Sequence, residues 1–339
     1  MNSPGLVPTH PRTSLPNPGV PRGKEDDNGR GPHYTPWLLL RYQVGDAGNR
    51  PLPPGTVFWE SPDIWTQGSQ GINQPVVNQP TQVFARITNL GMEDATGVTI
   101  QYWWENPSIA FVQSPTNLIG QITGATIPSN NSVVFQCPND WVPIEVNGGH
   151  ECLIVEAFIL VFDPLTDPMQ PVDDRHVGQK NEQLLTLPAG QSFKFKLSAH
   201  NFTAADQQVV VEARPGIIPR NFAQRFGTPG MWRTELLDPG LALPVEIHVD
   251  AKPVRTAAPA ERTSRRLAEP RRTLDVGCLG PAQASAAHVF GPREVRNVTI
   301  TGALPHSARP GEVYVIRIIQ RIGQVVAGGY TLYITLKAG

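Results

Sequence analysis

Short runs in which apolar and polar residues alternate recur along most of the chain, the period of two expected of half-buried strands. In TQVFARITN, Val83, Ala85 and Ile87 share one face, with Phe84, Arg86 and Thr88 opposite. In GVTIQYWWE, Val98, Ile100, Tyr102 and Trp104 alternate with Thr99, Gln101 and Trp103. SVVFQC (132–137) is a further strand, and ECLIVEAFILVF (151–162) is the most apolar one. There, Leu153, Val155, Ala157, Ile159 and Val161 are expected on a core face. Ile154, Phe158 and Leu160 surround a single Glu156 on the other. A solvated sheet face is normally more polar, so this second face needs a cover: the 34–43 strand, the second domain, a partner, or large flanking neighbours.

The alternation resumes after a Pro-Ala-Gly break. Phe193, Phe195 and Leu197 alternate with Ser192, Lys194 and Lys196, and VVVEA (209–213) and PVEIHVDA (244–251) continue it. EVYVIRIIQRI then runs into Gly323-Gln324, and VVAGGYTLYITL returns with Leu332, Ile334 and Leu336 expected in the core. A glycine at the first of two turn positions suits a type II′ hairpin. No long helical period occurs. The pattern predicts an all-β chain.

Gly 31 and Pro 35 among 339 residues set the boundaries. Prolines 4, 8, 11, 16, 18, 21 and 32 make residues 1–33 an arm too poor in apolar surface to offset its ordering entropy. YTPWLLLRYQ (34–43) reads as one strand and RPLPPG (50–55) as linker. The expected organisation is an arm and linker with one strand over 1–56, a β-sandwich over 57–187, and a second over 188–339. A mobile, basic loop at about 252–295 interrupts the second sandwich. Its first part, residues 252–273, has seven basic residues against two acidic, a net of +5, and lacks apolar periodicity.

Charge sharpens that division. The whole chain carries −1. Residues 1–36 hold 4 basic and 3 acidic residues, 37–190 hold 5 and 15, and 191–339 hold 19 and 11, giving +1, −10 and +8. An acidic first domain and a basic second one can attract each other, within a chain or head to tail between chains. The basic loop lacks interleaved aromatics, so nucleic acid is not an expected partner.

Few residues carry candidate chemistry. No nucleophile-elbow, zinc-protease, P-loop or dinucleotide motif occurs, and no Cys/His spacing suits zinc. His150 precedes Glu151, and His176 follows Asp173, Asp174 and Arg175. Either could join an acid–base pair, but anchoring a turn is the expected role. His248, between Glu246 and Asp250, reads as part of a solvated stripe. Asp163, Asp167, Asp173 and Asp174 in DPLTDPMQPVDD offer oxygens of the kind Ca²⁺ takes, against the simpler reading of a solvated loop. Cys137 and Cys152 are either bridged or two reduced thiols, and Cys278 stands alone. The sequons at Asn130, Asn201 and Asn297 read as chance. Catalytic, cofactor-binding and metal-ligating residues are therefore all expected to be none.

The stretch 61–187 resembles bacterial immunoglobulin-like domains of the CARDB (cell-adhesion-related) type. The matching features are SPDIW (61–65), ARITNLGMEDATGVTIQYWW (85–104), and GGHECLIVEAFILVFDP (148–164) before DRHVGQKN (174–181). The resemblance implies an immunoglobulin-like fold with a binding or spacer role. It would also place Cys137 and Cys152 near one end of the sandwich, where a bridge would close the 138–151 loop. The fold class expected is thus all-β, two immunoglobulin-like sandwiches behind a Pro/Gly-rich arm. The function expected is a non-catalytic structural or adhesive protein that binds protein partners or itself through sheet edges, loops and the arm. A component of a phage-like or injection-type particle, and a loop-sited hydrolase or metal-dependent enzyme, are the alternatives. The N-terminus has no apolar core of a Sec-type signal peptide, and the longest apolar stretch, Ala157 to Phe162, is too short to span a membrane. The chain is expected to be soluble, with its location unknown and an extracellular or particle-associated one among the options.

Overall fold

The computed structural model describes residues 35–105, 115–144, 151–219, 222–226, 242–254, 282–323 and 325–337. They are almost entirely β-strand, in four sheets, with one five-residue helix, α1 (Phe222–Phe226). The N-terminal arm, His150, Cys278 and residues 255–281 of the basic loop lie outside the described residues.

One sheet contains β1 (Leu38–Leu39), β2 (Ile64–Gly68), β3 (Gly71–Ile72), β4 (Gln82–Asn89) and β7 (Asn131–Gln136). A second has the order β6-β5-β8-β9, with β5 (Ala95–Glu105), β6 (Leu118–Ile127), β8 (Cys152–Phe158) and β9 (Val177–Lys180). Between them lies a core of Val83, Ala85, Ile87, Val98, Ile100, Tyr102, Val155 and Ala157. These are the faces on which the sequence alternates. Only Leu38 and Leu39 of the 34–43 segment form a strand, pairing with the end of β4. Leu38 and Leu40 are fully buried in the core.

The remaining strands build another pair of layers. A five-stranded sheet has the order β10-β17-β16-β12-β14, from β10 (Glu182–Leu187), β12 (Gln207–Pro215), β14 (Ala284–Phe290), β16 (Val313–Ile322) and β17 (Val325–Leu336). It faces a three-stranded sheet of β11 (Ser192–His200), β15 (Val295–Ala303) and β13 (Val245–Val249). Phe193, Phe195, Leu197, Leu332 and Ile334 meet in the core between them. The hairpin closes where expected: Ile322 pairs with Val325, and Gly323 has φ 58°, the positive value a primed turn requires.

Three boundaries differ from expectation. Residues 182–187, assigned by their position to the first sandwich, pair in parallel with β17 and belong to the second. A parallel partner about 150 residues away leaves no local trace in the sequence. The interruption at 252–295 ends earlier than expected, because β14 and the start of β15 fall inside it. Alternating small residues in ASAAHVF hide β14 from a hydrophobicity reading. Finally, 50–55 is no free linker, since Leu52 packs with Phe58, Trp59 and Ile319 of β16.

Trp59 ties the two halves together. It is fully buried, donates from Nε1 to Thr331 Oγ1 at 3.0 Å, and lies flat against Gly329. A Cβ on Gly329 would meet the indole at 2.3 Å. Gly329→Ala is therefore expected to lower stability by about 1–3 kcal/mol through overpacking. Thermal unfolding checks this, and an unchanged midpoint would show that the indole yields freely.

Candidate interaction site

The sequence favours a long strand through Phe162, but β8 stops at Phe158. Ile159 and Asp163 exchange two backbone hydrogen bonds of 2.9 and 3.1 Å, which closes a tight turn. That turn throws Leu160, Val161 and Phe162 outward, and they are 78 %, 78 % and 70 % exposed. The expectation that Val161 is core is thus corrected: the turn breaks the alternation before its side chain can reach the core. Three consecutive large apolar side chains in water form an apolar finger, a feature that marks interaction surfaces.

The base of the finger is fixed by buried polar groups. Asp163 Oδ2 accepts from the Leu38 amide at 2.6 Å, and Oδ1 takes the Arg175 guanidinium. Arg175 also lies over the Trp37 ring, 4.4 Å from its centroid. His176 stands between two carboxylates, with Nδ1 2.6 Å from Asp174 Oδ1 and Nε2 3.1 Å from Asp163 Oδ1. Burial disfavours the imidazolium, but hydrogen bonds to Asp163 and Asp174 outweigh it and raise the His176 pKa. Burial likewise works to raise Asp174, yet His176 and the amides of Asp167 and His176 hold its pKa far below the usual carboxylate range. His176 anchors a turn, as its neighbours in the sequence imply. The result is a finger pre-organised on a rigid base.

The proline-rich acidic loop has a different job from either expected one. Asp163 and Asp174 point inward rather than into solvent, and Asp174 Oδ2 accepts from Thr166 N, Thr166 Oγ1 and Asp167 N. Met169 of that loop packs on Trp103, Ile154 and Val177, with Leu165 beside them. Met169 N also donates to Glu156 Oε1 at 2.7 Å. The loop thus covers Ile154 and Glu156 on the second face of β8, together with the large flanking neighbours Trp103 of β5 and Val177 of β9. Among the described residues, no group of three or more His, Cys, Asp or Glu side chains is placed to hold a metal ion.

The other candidates lie apart. Glu151 is buried beside Cys152 and Glu105, away from the Asp163–His176 cluster, and its Oε1 accepts from the Ile144 amide. Asp173 is exposed. One surface cleft of about 600 Å³ runs along Phe193, Lys194, Val245, Glu246, Thr301 and Gly302, and another of about 190 Å³ lies among Asn73, Gln74, Val76 and Gln183. None of Asp163, Asp173, His176 and Glu151 borders either of these two clefts. His248 is 75 % exposed by side chain, as a solvated stripe implies. Asn201 is buried with Nδ2 bound to Ala205 O and Gly291 O, which closes that sequon.

Cys137 and Cys152 are both free thiols and lie in different cores, Cys137 among the first pair of sheets and Cys152 against the second. The bridge implied by the immunoglobulin-like resemblance is not made. Of the fifteen acidic residues in 37–190, Glu60, Asp63, Glu105, Glu151, Glu156, Asp163 and Asp174 are buried, and so is the Glu182 side chain.

No family model and no curated protein matches the chain. Among solved structures, a family 123 glycoside hydrolase from Clostridium perfringens aligns at 12 % identity and TM-score 0.29, over 47 % of this chain and 23 % of that one. Red sea bream transglutaminase aligns at 10 % identity and TM-score 0.20, over 82 % and 31 %. The CupB6 tip adhesin from Pseudomonas aeruginosa aligns at 8 % identity and TM-score 0.19, over 90 % and 100 %. The chain spans about a quarter of the hydrolase and a third of the transglutaminase. At these scores none of the three informs its fold or activity.

Proposed function

We propose that this chain is a non-catalytic interaction protein of two immunoglobulin-like sandwiches, the first of CARDB type, which docks a protein partner through the Leu160–Phe162 finger. The observation that carries this reading is the finger itself. Apolar side chains held in water by a buried Asp163–His176–Asp174 base contribute nothing to the core, whereas seating them in a partner would remove apolar surface from water at about 25 cal/mol per Å². Immobilising a pre-ordered turn also costs less entropy than ordering a loose loop.

Replacing Leu160, Val161 and Phe162 together by serine is expected to leave thermal stability unchanged within about 0.5 kcal/mol, as for surface positions generally. The same change should abolish capture of the partner in a cross-linked pull-down from the native source. Equal capture by wild type and variant rejects the finger as the docking element.

A further inference from the structure

We propose that β7 is a self-complementary sheet edge through which two copies of this chain pair antiparallel across a two-fold axis. The inference rests on the interaction reading above and names a second copy of the chain as one partner.

The register with β4 dictates which backbone groups of β7 are available. Cys137 N donates to Val83 O at 2.8 Å, and pairing continues unbroken from Phe84–Gln136 to Asn89–Asn131. In an antiparallel ladder, residues that exchange hydrogen bonds with one neighbour alternate with residues that face away. Asn131, Val133 and Phe135 therefore bond to β4, while the amides and carbonyls of Ser132, Val134 and Gln136 point outward, the Ser132 amide onto the exposed Asn131 side chain at Oδ1, 2.8 Å away. Among the described residues, β4 is the only strand that pairs with β7.

Proteins normally blunt such an edge with lysine, proline, a bulge or a covering segment. The strand NSVVFQ contains neither residue, and its ladder with β4 has no register shift. No Asp, Glu, Lys, Arg or His occurs between Glu105 and Asp140. By contrast, the β5–β6 ladder is interrupted by several register shifts, with Gly97 and Gly124 at positive φ. Six residues without charge, proline or glycine, with Val133, Val134 and Phe135 of high β-propensity at their centre, suit pairing with a like strand.

The occupant follows from charge and from what else the chain could offer. A two-fold axis at Val134 sets Val134 opposite its own copy and Ser132 opposite Gln136 of the second copy. The Val134 pair exchanges two hydrogen bonds, and each Ser132–Gln136 pair exchanges two once the Ser132 amide leaves Asn131 Oδ1 for the Gln136 carbonyl of the second copy. Val134, 47 % exposed, would pack against its twin. The nearest charge on this face, Arg86 opposite Val134 on β4, would lie about 14 Å from its counterpart, three strand spacings away and beyond the screening length at physiological salt. The Pro-rich arm is a poor substitute. Its prolines interrupt a donor ladder, and its longest proline-free stretch, RGKEDDNGRG (22–31), is charged and glycine-rich.

Sedimentation equilibrium on the purified full chain tests this over a range of concentrations and at low and high salt. The expected result is a reversible dimer whose affinity is insensitive to salt. Val134→Lys should weaken it about tenfold or more by opposing two lysines across the axis, while Val134→Thr keeps it. Hydrogen exchange at the amides of Val134 and Gln136 in the unaltered chain should slow as concentration rises. A monomer at every concentration, a Val134→Lys variant that dimerises like wild type, or a dimer dispersed by salt overturns the proposal. A monomer that still captures its partner through Leu160–Phe162 removes the dimer and leaves the interaction reading standing. A salt-insensitive dimer whose finger variant loses no partner does the reverse.

Discussion

Glu182→Gln is expected to destabilise the folded protein by about 3–5 kcal/mol, the cost of leaving a buried charge unpaired. The Glu182 side chain is wholly buried between Lys180, whose Nζ bonds Oε1, and Arg225, whose guanidinium lies 2.7 Å from Oε2. Arg225 also donates to the Glu60 carbonyl, and the Glu60 carboxylate takes Arg317 at 2.9 and 3.1 Å and Thr331 Oγ1 at 2.6 Å. This set joins the end of β9, the start of β10, α1 and the two long hairpin strands, so it fastens one half of the chain to the other. Two carboxylates already serve three cations, and burial lowers the Lys180 pKa while Glu182 opposes that shift. Neutralising Glu182 leaves three cations to one carboxylate in a largely buried site. The check is the denaturant midpoint, compared with His248→Ala at the exposed His248–Asp250 contact of 3.7 Å. The latter should move stability by no more than about 0.5 kcal/mol. Equal midpoints for the two variants would reject the network as the lock between the halves.

Stability is also expected to fall as pH rises from about 5 to 8. Burial pushes the pKa values of Glu105 and Glu151 up from 4.5 to about 7, each only partly offset by hydrogen bonds. Both carboxyls adjoin Cys152, whose thiol pKa burial and the two acids raise further. Between pH 4.5 and 7 the folded state keeps protons that the unfolded chain releases. The stabilisation is therefore complete below the unfolded pKa and is lost as pH climbs through the folded one. At 1.36 kcal/mol per pH unit each site accounts for roughly 3 kcal/mol. His200 acts in the opposite sense. Burial lowers its pKa to about 4, so its contribution is present above 6.5 and lost as pH falls from there through 4. Denaturation across pH should show Glu105→Gln/Glu151→Gln flattening the alkaline fall, with the double variant more stable than wild type at pH 8. A wild type equally stable at pH 5.5 and 8 would exclude titration of this pair.

Much of the β architecture was legible because a period of two states directly which side chains share a face. Val83/Ala85/Ile87, Val98/Ile100/Tyr102, Phe193/Phe195/Leu197 and Leu332/Ile334 all lie in cores, as their alternation requires. The finger was half legible. Its apolar residues were conspicuous, but they read as strand because hydrophobicity says nothing about where a turn will close. The signal available was Asp163-Pro164, a turn-forming pair directly after the apolar run. Nothing local marked β14, whose alternating alanines carry too little apolar contrast.

Charge illustrates the same limit. The sequence counts an acidic first half and a basic second half, and both counts hold as composition. Only the fold decides that most of those acids, Glu182 among them, have their side chains inside, where Asp163 and Asp174 fix a turn, Glu156 receives the covering loop and Glu60 holds Arg317. A carboxylate reads identically in a sequence whether it is solvated or buried with its partners, although the two situations differ by several kcal/mol.

By itself, then, the sequence determined the all-β class, the core faces of most strands and the terminal hairpin, because those follow from backbone pleat and turn chemistry over a few residues. The tertiary structure decided the pairing of β10 with β17, the loop that covers Glu156, the outward finger, the free thiols in separate cores and the ion network between the halves. Each of these depends on contacts between segments distant in the chain. Burial and pairing across such distances are set by packing of the whole, which no local pattern encodes.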